Sequence, residues 1–296
     1  MNKPQISVSS LPELAVARAH QNESERVFAD LGVVDSATVE QIQQLRAERG
    51  LSVIEAARAL QCVDDNDLRR ALGAKFGLQP IEFEPGSELS DELVAVYEPH
   101  HPYVGALRMI REELGTRWFT KQRPALVVGG TEGGVGSSRV AANLAILYAH
   151  RGDRVLLIDA DFGNQRQREL FSINLSEGLT DCLAGWVDFG EAATRITQVP
   201  GLNVLTAGTL PPNQCEILSR REFRELVQKA GDLFDIVLID VASARYNGDI
   251  VAASACVGGA LIVMRKNHTR FEVARALTTQ IQSVGAQVVG AVLNEF

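Results

Sequence analysis

The segment Leu126-Val-Val-Gly129-Gly130-Thr-Glu-Gly-Gly-Val-Gly-Ser-Ser138-Arg139-Val-Ala-Ala-Asn-Leu-Ala145 decides the fold of this chain. An apolar run leads into a glycine-rich loop, and a helical pattern follows. Glycines allow backbone N–H groups to turn towards an anion, and the N-terminus of a helix adds a positive dipole. The spacing therefore predicts a phosphate-binding loop between a strand and a helix. The residues expected to contact the phosphates are Gly133, Gly134, Val135, Gly136, Ser137, Ser138 and Arg139.

On either side of this loop, short apolar runs alternate with helical patterns. The predicted strands are Ala125–Gly129, Arg154–Asp159, Leu202–Thr206, Asp235–Asp240, Ala260–Met264 and Val288–Leu293. The main predicted helices between them are Ser138–His150, Ser219–Gly231 and Phe271–Val284. This alternation is typical of a mostly parallel sheet with helices on both faces. The sequence therefore predicts a doubly wound α/β domain of the P-loop NTPase type, whose ligands bind beyond the carboxyl ends of the strands.

Carboxylates stand at the ends of two predicted strands. The run Val155–Asp161 ends in Asp159 and Asp161, and the run Phe234–Asp240 ends in a single aspartate. Magnesium prefers hard oxygen ligands and keeps several waters. A single aspartate here could be a helix cap, but three of them with a glycine loop favour a magnesium–nucleotide site.

The loop lacks the cations that usually accompany such a site. The standard pattern places a lysine, which reaches the outer phosphates, at the position of Ser137. An acid, Glu132, precedes the glycines, and Arg139 is expected to point away from the loop. Arg166 or Arg168 could supply the missing positive charge. A charged contact to phosphate contributes roughly 1.5–3 kcal/mol, so its absence predicts weak Mg-ATP binding. The alternative is that the segment is a glycine-rich turn that binds no ligand.

The N-terminal third predicts a separate module. Residues 1–24 are polar and predict a flexible arm, whereas residues 25–82 predict short helices, with Asp64 or Asp65 as an N-cap. Residues 25–82 resemble the N-terminal helical domain of type II secretion ATPases of the GspE/MshE type. That resemblance implies a docking module or, as in some relatives, a cyclic-dinucleotide site. A proline-containing stretch, 83–103, predicts a linker before the P-loop domain at 104–296.

The composition excludes several classes of protein. The 296 residues carry a formal net charge of −8, which argues against nucleic-acid binding. The four cysteines lie far apart and predict neither a zinc site nor a disulfide framework. The sequence shows no secretory signal and no apolar run long enough to span a bilayer. It predicts a cytoplasmic protein that reaches the inner membrane only through a partner.

From about residue 90 to 296, the sequence resembles the bacterial tyrosine kinases (BY-kinases) of exopolysaccharide systems, in particular the EpsG-type chain length determinant kinases, within the MinD/ParA superfamily. The motifs that carry the resemblance are Ala106–Arg111, Ala141–Ala145, Leu156–Asp161, Gly178–Gly185, Pro211–Asn213, Arg265–Arg270 and Val292–Phe296. The resemblance implies Mg²⁺ near Ser138, Asp159 and Asp240, and it implies that Asp161 helps to deprotonate a tyrosine hydroxyl. It also implies subunit contacts through the helix of Arg108 and Arg111, and a Wzz-like polysaccharide co-polymerase as membrane partner.

The chain departs from the family pattern at functional positions. Glu132 and Ser137 stand at the two lysine positions of the MinD/ParA loop, the second of which is an arginine in some relatives. Gly163 replaces an arginine after the paired carboxylates. Val241-Ala-Ser243 replaces Thr-Pro-Pro, and Gly105 replaces the glutamate of the oligomerisation helix. None of the four tyrosines follows Tyr246. These departures predict an enzyme that is impaired or inactive.

Three functional hypotheses follow from these observations. The favoured one is a kinase-like regulator of exopolysaccharide synthesis or export with weak or absent phosphotransfer. The second is an active protein-tyrosine autokinase that uses a substitute cation. The third is a MinD/ParA-like positioning protein whose helical module docks on a secretion or pilus machine.

Overall fold

The computed structural model describes residues 36–64, 67–68, 89–243 and 248–295. By their contacts, the residues group into two compact units, 1–80 and 81–296. The predicted arm, part of the helical module and the start of the predicted linker lie outside the described residues, as does Tyr246. The division into an arm, a module, a linker and a P-loop domain stays a prediction.

The described part of the first unit contains two helices, α1 (Ser36–Arg49) and α2 (Val53–Ala59). Asp64 acts as the expected N-cap, because its Oδ1 accepts a hydrogen bond of 2.8 Å from the N–H of Asp67. A small apolar core forms from Ile42, Val53, Ala56, Ala57, Val63 and Leu68. The resemblance of this unit to secretion ATPases stays a prediction.

The second unit is built on one sheet. Its described strands are β1 (Ala125–Gly130), β2 (Val155–Ala160), β3 (Thr194–Arg195), β4 (Leu202–Leu205), β5 (Ile236–Val241), β6 (Gly259–Arg265) and β7 (Gln287–Asn294). Its described helices are α3 (Val94–Tyr97), α4 (Pro102–Arg117), α5 (Ser137–His150), α6 (Arg166–Leu170), α7 (Leu179–Leu183), α8 (Phe189–Ala192), α9 (Gln214–Leu218), α10 (Arg221–Leu233), α11 (Asp249–Val257) and α12 (Phe271–Ser283).

The strand order is β3-β4-β2-β5-β1-β6-β7. Every neighbouring pair is parallel except β3–β4, a two-residue antiparallel pairing at the edge. The prediction of a doubly wound, mostly parallel P-loop sheet is therefore confirmed. In such a sheet the loops that follow the strands meet at one edge, and this brings the predicted site residues together.

Helices bury both faces of the sheet. In β1, Leu126 and Val128 pack into the core that also contains α4 and α5, whereas Val127 packs into the core of α10 to α12. This two-sided burial explains the continuous apolar runs of the central strands. In β2, Val155 and Leu157 face the α5 side. Because side chains alternate along a strand, Asp159 projects to the same side.

Residues 89–103, the described part of the predicted linker, pack against the rest of the second unit. Leu93 and Ala95 are fully buried. The N–H of Ala95 donates a 2.8 Å hydrogen bond to Oδ1 of Asn143, which lies in α5. Pro102, which looked like a linker residue, is the first residue of α4. Proline suits this position because the first helical N–H needs no acceptor.

Limited proteolysis should therefore cut on the N-terminal side of Leu89. The buried and hydrogen-bonded residues 89–103 should resist cleavage, leaving a stable fragment that ends at Phe296. Intact mass spectrometry of the resistant fragment gives its first residue. An early cut between 89 and 103 would contradict the packing described above.

Candidate nucleotide site

The glycine loop joins β1 to α5 and has the backbone shape of an anion site. Gly134 and Gly136 have positive φ angles of 77° and 84°, which side-chain-bearing residues rarely adopt. At Gly130, an added Cβ would lie 2.6 Å from Cγ2 of Val135. The first hydrogen bond of α5 runs from Val140 N to Gly136 O. The N–H groups of the three residues before Val140 therefore lie in the first turn, where helices bind anions.

Two contacts from distant strands hold the loop in place. Nδ2 of Asn294, at the end of β7, donates to the carbonyl of Val135 over 3.0 Å. The N–H of Thr131 donates to the carbonyl of Val263, in β6, over 3.0 Å. Asn294 and Thr131 are both buried. The role of Asn294 could not be predicted from the sequence, because the residue lies 159 positions from its acceptor.

The two predicted metal-binding aspartates lie side by side. Asp159 in β2 and Asp240 in β5 are register partners, and both are fully buried. The Ser138 side chain lies near the Asp240 carboxyl and lowers its pKa. The structure therefore brings together all three residues that the resemblance assigned to a cation.

Burial makes the charged forms of these carboxyls unfavourable. It raises the pKa of Asp240 to about 7, although hydrogen bonds from Gln167 and Ser138 oppose the shift. The pKa of Asp159 is raised well above its ordinary value by burial first and then by the charge of Asp240. Two adjacent buried carboxylates repel each other unless a proton or a cation lies between them.

Gln167 of α6 connects the parts of this cluster, and sequence analysis missed it. Its Nε2 donates to Oδ2 of Asp240 over 2.7 Å and to the carbonyl of Ser138 over 3.0 Å. Its N–H donates to Oδ2 of Asp159 over 3.1 Å. Gln167 is fully buried. A local sequence pattern could not reveal this role, because Gln167 and Asp240 are 73 residues apart.

The unused oxygens of the cluster fit a hard divalent cation. Oδ1 of Asp240 and Oε1 of Gln167 are buried and accept no hydrogen bond from the described part of the chain. Within that part, no three His, Cys, Asp or Glu side chains gather as a metal site. A cation here would depend on Asp240, Gln167 and Ser138, and on phosphate oxygens, as Mg²⁺ sites commonly do.

The acid of the loop, Glu132, contacts a histidine. Oε2 of Glu132 lies 3.7 Å from Nε2 of His268, and the Glu132 side chain is only 16% exposed. Oε1 of Glu132 is buried and accepts no hydrogen bond from any residue that the structure describes. Negative charge thus stands in the loop, and a negatively charged phosphate would meet it unfavourably.

The three arginines considered as loop cations all have contacts elsewhere. The guanidinium of Arg139 lies 5.1 Å from the ring centre of Tyr103. Arg166 forms ion pairs with Glu92 and Glu169, and Nε of Arg168 donates to the carbonyl of Ile173. Each of these three side chains therefore already interacts with a residue outside the glycine loop.

Asp161, the predicted proton acceptor, lies just beyond β2. Its N–H donates to Oδ1 of Asp159 over 3.0 Å, and its own Oδ1 accepts from Asn164 N over 3.1 Å. Burial raises the pKa of Asp161. Gly163 is the position at which the resemblance leads us to expect an arginine. A Cβ added there would lie 3.7 Å from Nε2 of Gln214, the first residue of α9, so α9 borders this position.

One of the two arginines predicted to mediate self-association, Arg111 of α4, makes a contact within the chain. Nη1 of Arg111 donates to the carbonyl of Leu147 over 2.9 Å. Both Arg108 and Arg111 act on His150, whose pKa falls to about 4, chiefly through burial and further through these two positive charges. Arg108 is half-buried.

The described helices include none that is both long and apolar enough to cross a bilayer.

Comparisons with known proteins identify the family of this domain. Residues 126–296 match the family model described as the CobQ/CobB/MinD/ParA nucleotide binding domain. The chain is 28% identical over 209 residues to the tyrosine-protein kinase YwqD of Bacillus subtilis, covering 71% of this chain and 88% of YwqD. It is 30% identical over 203 residues to the tyrosine-protein kinase wzc of Salmonella typhi, covering 69% of this chain but only 28% of that protein.

A solved structure shows the same fold. The kinase domain of Escherichia coli tyrosine kinase ETK aligns with a TM-score of 0.67 at 26% identity. The alignment covers 73% of this chain and 84% of that domain. The chain therefore belongs to the CobQ/CobB/MinD/ParA family of nucleotide-binding domains, and its relatives in that family include bacterial tyrosine-protein kinases.

Proposed function

We propose that the chain is a kinase-like regulator of exopolysaccharide synthesis that binds Mg-ATP weakly and transfers phosphate slowly or not at all. Its similarity to tyrosine kinases and its buried Asp159–Asp240 pair support a nucleotide site. The observation that carries the impairment is the charge of the loop. Glu132 and Ser137 stand where family members place cations, and the neighbouring arginines make other contacts.

The remaining site residues have definite roles in this proposal. The N–H groups at the start of α5 would bind phosphate. Ser138, Asp159 and Asp240, together with Gln167, would hold a magnesium ion, which would neutralise phosphate charge. Asp161 accepts the proton of a tyrosine hydroxyl. Its raised pKa makes it a stronger base. The loop lacks a cation directed at the transition state. Such a cation typically raises the rate of the chemical step by a factor of roughly 10²–10³.

A phosphorylation assay tests this proposal. The purified full-length chain is incubated with Mg-ATP, and phosphotyrosine is measured by mass spectrometry. We expect little or no ATP-dependent phosphotyrosine. Robust autophosphorylation that is lost in Asp161→Asn would instead support the active autokinase.

The proposed partner is a membrane protein of the polysaccharide co-polymerase class, which would bring the chain to the inner membrane. This proposal rests on the resemblance to exopolysaccharide kinases. Co-purification with such a protein would support it. Co-purification with a motor ATPase would instead favour the positioning-protein hypothesis.

Self-association through α4 should respond to a change at Gly105. An added Cβ there meets no atom within 4 Å, so a side chain fits. Gly105→Glu should strengthen self-association, because it restores the acid that family members place on this helix. Gly105→Ala is the matched control, since both changes remove a helical glycine that costs about 1 kcal/mol. Equal sedimentation of both variants would exclude an electrostatic role for this position.

A further inference from the structure

A groove runs along α10, and the nucleotide site does not use it. It encloses about 860 Å³ between α10 and the segment 182–190, which connects α7 to α8. Its apolar lining includes Leu183, Trp186, Val187, Phe189, Leu226 and Leu233. No residue of the glycine loop or of the carboxylate cluster lines it.

Large apolar side chains are exposed in this groove. Trp186 is 74% exposed and Leu233 is 54% exposed. Isolated apolar residues are common on protein surfaces, but a tryptophan beside several other apolar side chains in a concave surface is typical of a binding site. Tryptophan is also among the residues that contribute most to protein interfaces.

The rim of the groove is acidic. Among the residues that the structure describes, five charged ones line the groove: the acids Asp188, Glu222, Glu225 and Asp232, and Lys229. The chain as a whole is more balanced, with 37 acidic and 29 basic residues. All four acids are solvent-exposed, and one of them, Glu225, forms an ion pair with Arg221. The groove therefore combines an apolar floor with a negatively charged edge.

The shape of the groove suits a helix. From Glu222 to Leu233, one face of α10 lines the groove over twelve residues, a rise of about 16 Å. Groups that orient a small molecule usually converge inside its pocket, whereas these acids stand at the solvent edge. We propose that the groove binds a basic amphipathic helix of a partner protein, with apolar residues on Trp186 and Leu233 and with Lys or Arg along the acidic rim.

The chain contains a convenient probe for this interaction. Of its two tryptophans, Trp118 is 3% exposed and donates its Nε1–H to the carbonyl of Ala125. Trp186 is exposed, so a change in emission on binding would come from the groove. Trp186→Phe should remove the fluorescence change and keep most of the affinity measured by calorimetry.

The test uses the full-length chain and a helical peptide of about 18 residues built from leucine and lysine, with leucines on one face. Binding should be saturable and should shift the Trp186 emission to the blue. The same peptide with glutamate in place of lysine should not bind. No blue shift with the lysine peptide, or equal binding of the glutamate peptide, would overturn the proposal.

Charge-reversal variants separate the groove from the net charge of the chain. Glu222→Lys with Asp232→Lys should weaken peptide binding by about tenfold. Asp91→Lys with Glu272→Lys makes the same charge change at exposed residues outside the groove, and affinity should stay within about twofold. Equal losses in both double variants would mean that the peptide responds only to net charge. Circular dichroism checks that both variants are folded.

Discussion

Replacing Ser137 by lysine, together with Glu132→Ala, should strengthen Mg-ATP binding by about 2–3 kcal/mol, which is roughly a 30- to 150-fold lower dissociation constant. Lysine at position 137 supplies the missing charged contact at the start of α5. Removal of Glu132 abolishes the repulsion from a carboxylate that is only 16% exposed. Ser137→Lys alone should give most of the gain. Calorimetric titration at fixed Mg²⁺ and salt measures each affinity.

Ser283→Lys is the matched control for added charge. Ser283 is the last residue of α12, at the opposite edge of the sheet from the glycine loop. Its replacement should leave ATP affinity unchanged. If the unmodified chain binds ATP tightly and Ser137→Lys adds nothing, another cation has replaced the lysine, and the active autokinase becomes the better account. Hydrolysis should recover only in part, because Gly163 also departs from the active pattern.

Asp240→Asn should stabilise the chain at neutral and alkaline pH when metal and nucleotide are absent. The pKa of Asp240 is raised from its ordinary 3.8 to about 7 by burial. Below pH 3.8, the Asp240 carboxyl is protonated in both the folded and the unfolded state, so its ionisation does not affect the free energy of unfolding. As pH rises towards 7, only the unfolded chain releases the proton, and the folded state loses stability.

The expected gain for Asp240→Asn at about pH 8 is about 2–4 kcal/mol in the free energy of unfolding. At about pH 5 the gain should be smaller, because the raised pKa of Asp240 has by then cost the folded state less stability than at about pH 8. Urea unfolding at both pH values measures the difference. Asp235→Asn is the control: Arg154 lowers the pKa of this exposed carboxyl, so its loss should cost little and should not stabilise the chain at high pH. The same effect in both variants would contradict the burial argument.

The fold could be predicted because its signals are local. The six predicted strands match β1, β2 and β4 to β7 within one residue at each end. They are continuous apolar runs, which two-sided burial requires. The two-residue strand β3 was missed, because so short an edge pairing leaves no pattern. Pro102 was misinterpreted, since proline is common both in linkers and at the first position of a helix.

The candidate site could be predicted only in part. The glycine spacing and the strand-end aspartates identified Ser138, Asp159 and Asp240, which the structure brings together. Gln167 and Asn294 could not be found, because each acts on a residue that is distant in sequence. Such pairings depend on strand order and register, and local periodicity does not encode either of these.

The central claim is that the glycine loop has lost its cation and therefore binds nucleotide weakly. The most direct measurement is a calorimetric titration of the unmodified, full-length chain with Mg-ATP at physiological salt. The account predicts no saturable binding in the low micromolar range. Low-micromolar binding that Glu132→Ala does not improve would contradict it, because the acidic loop would then impose no penalty on the phosphates.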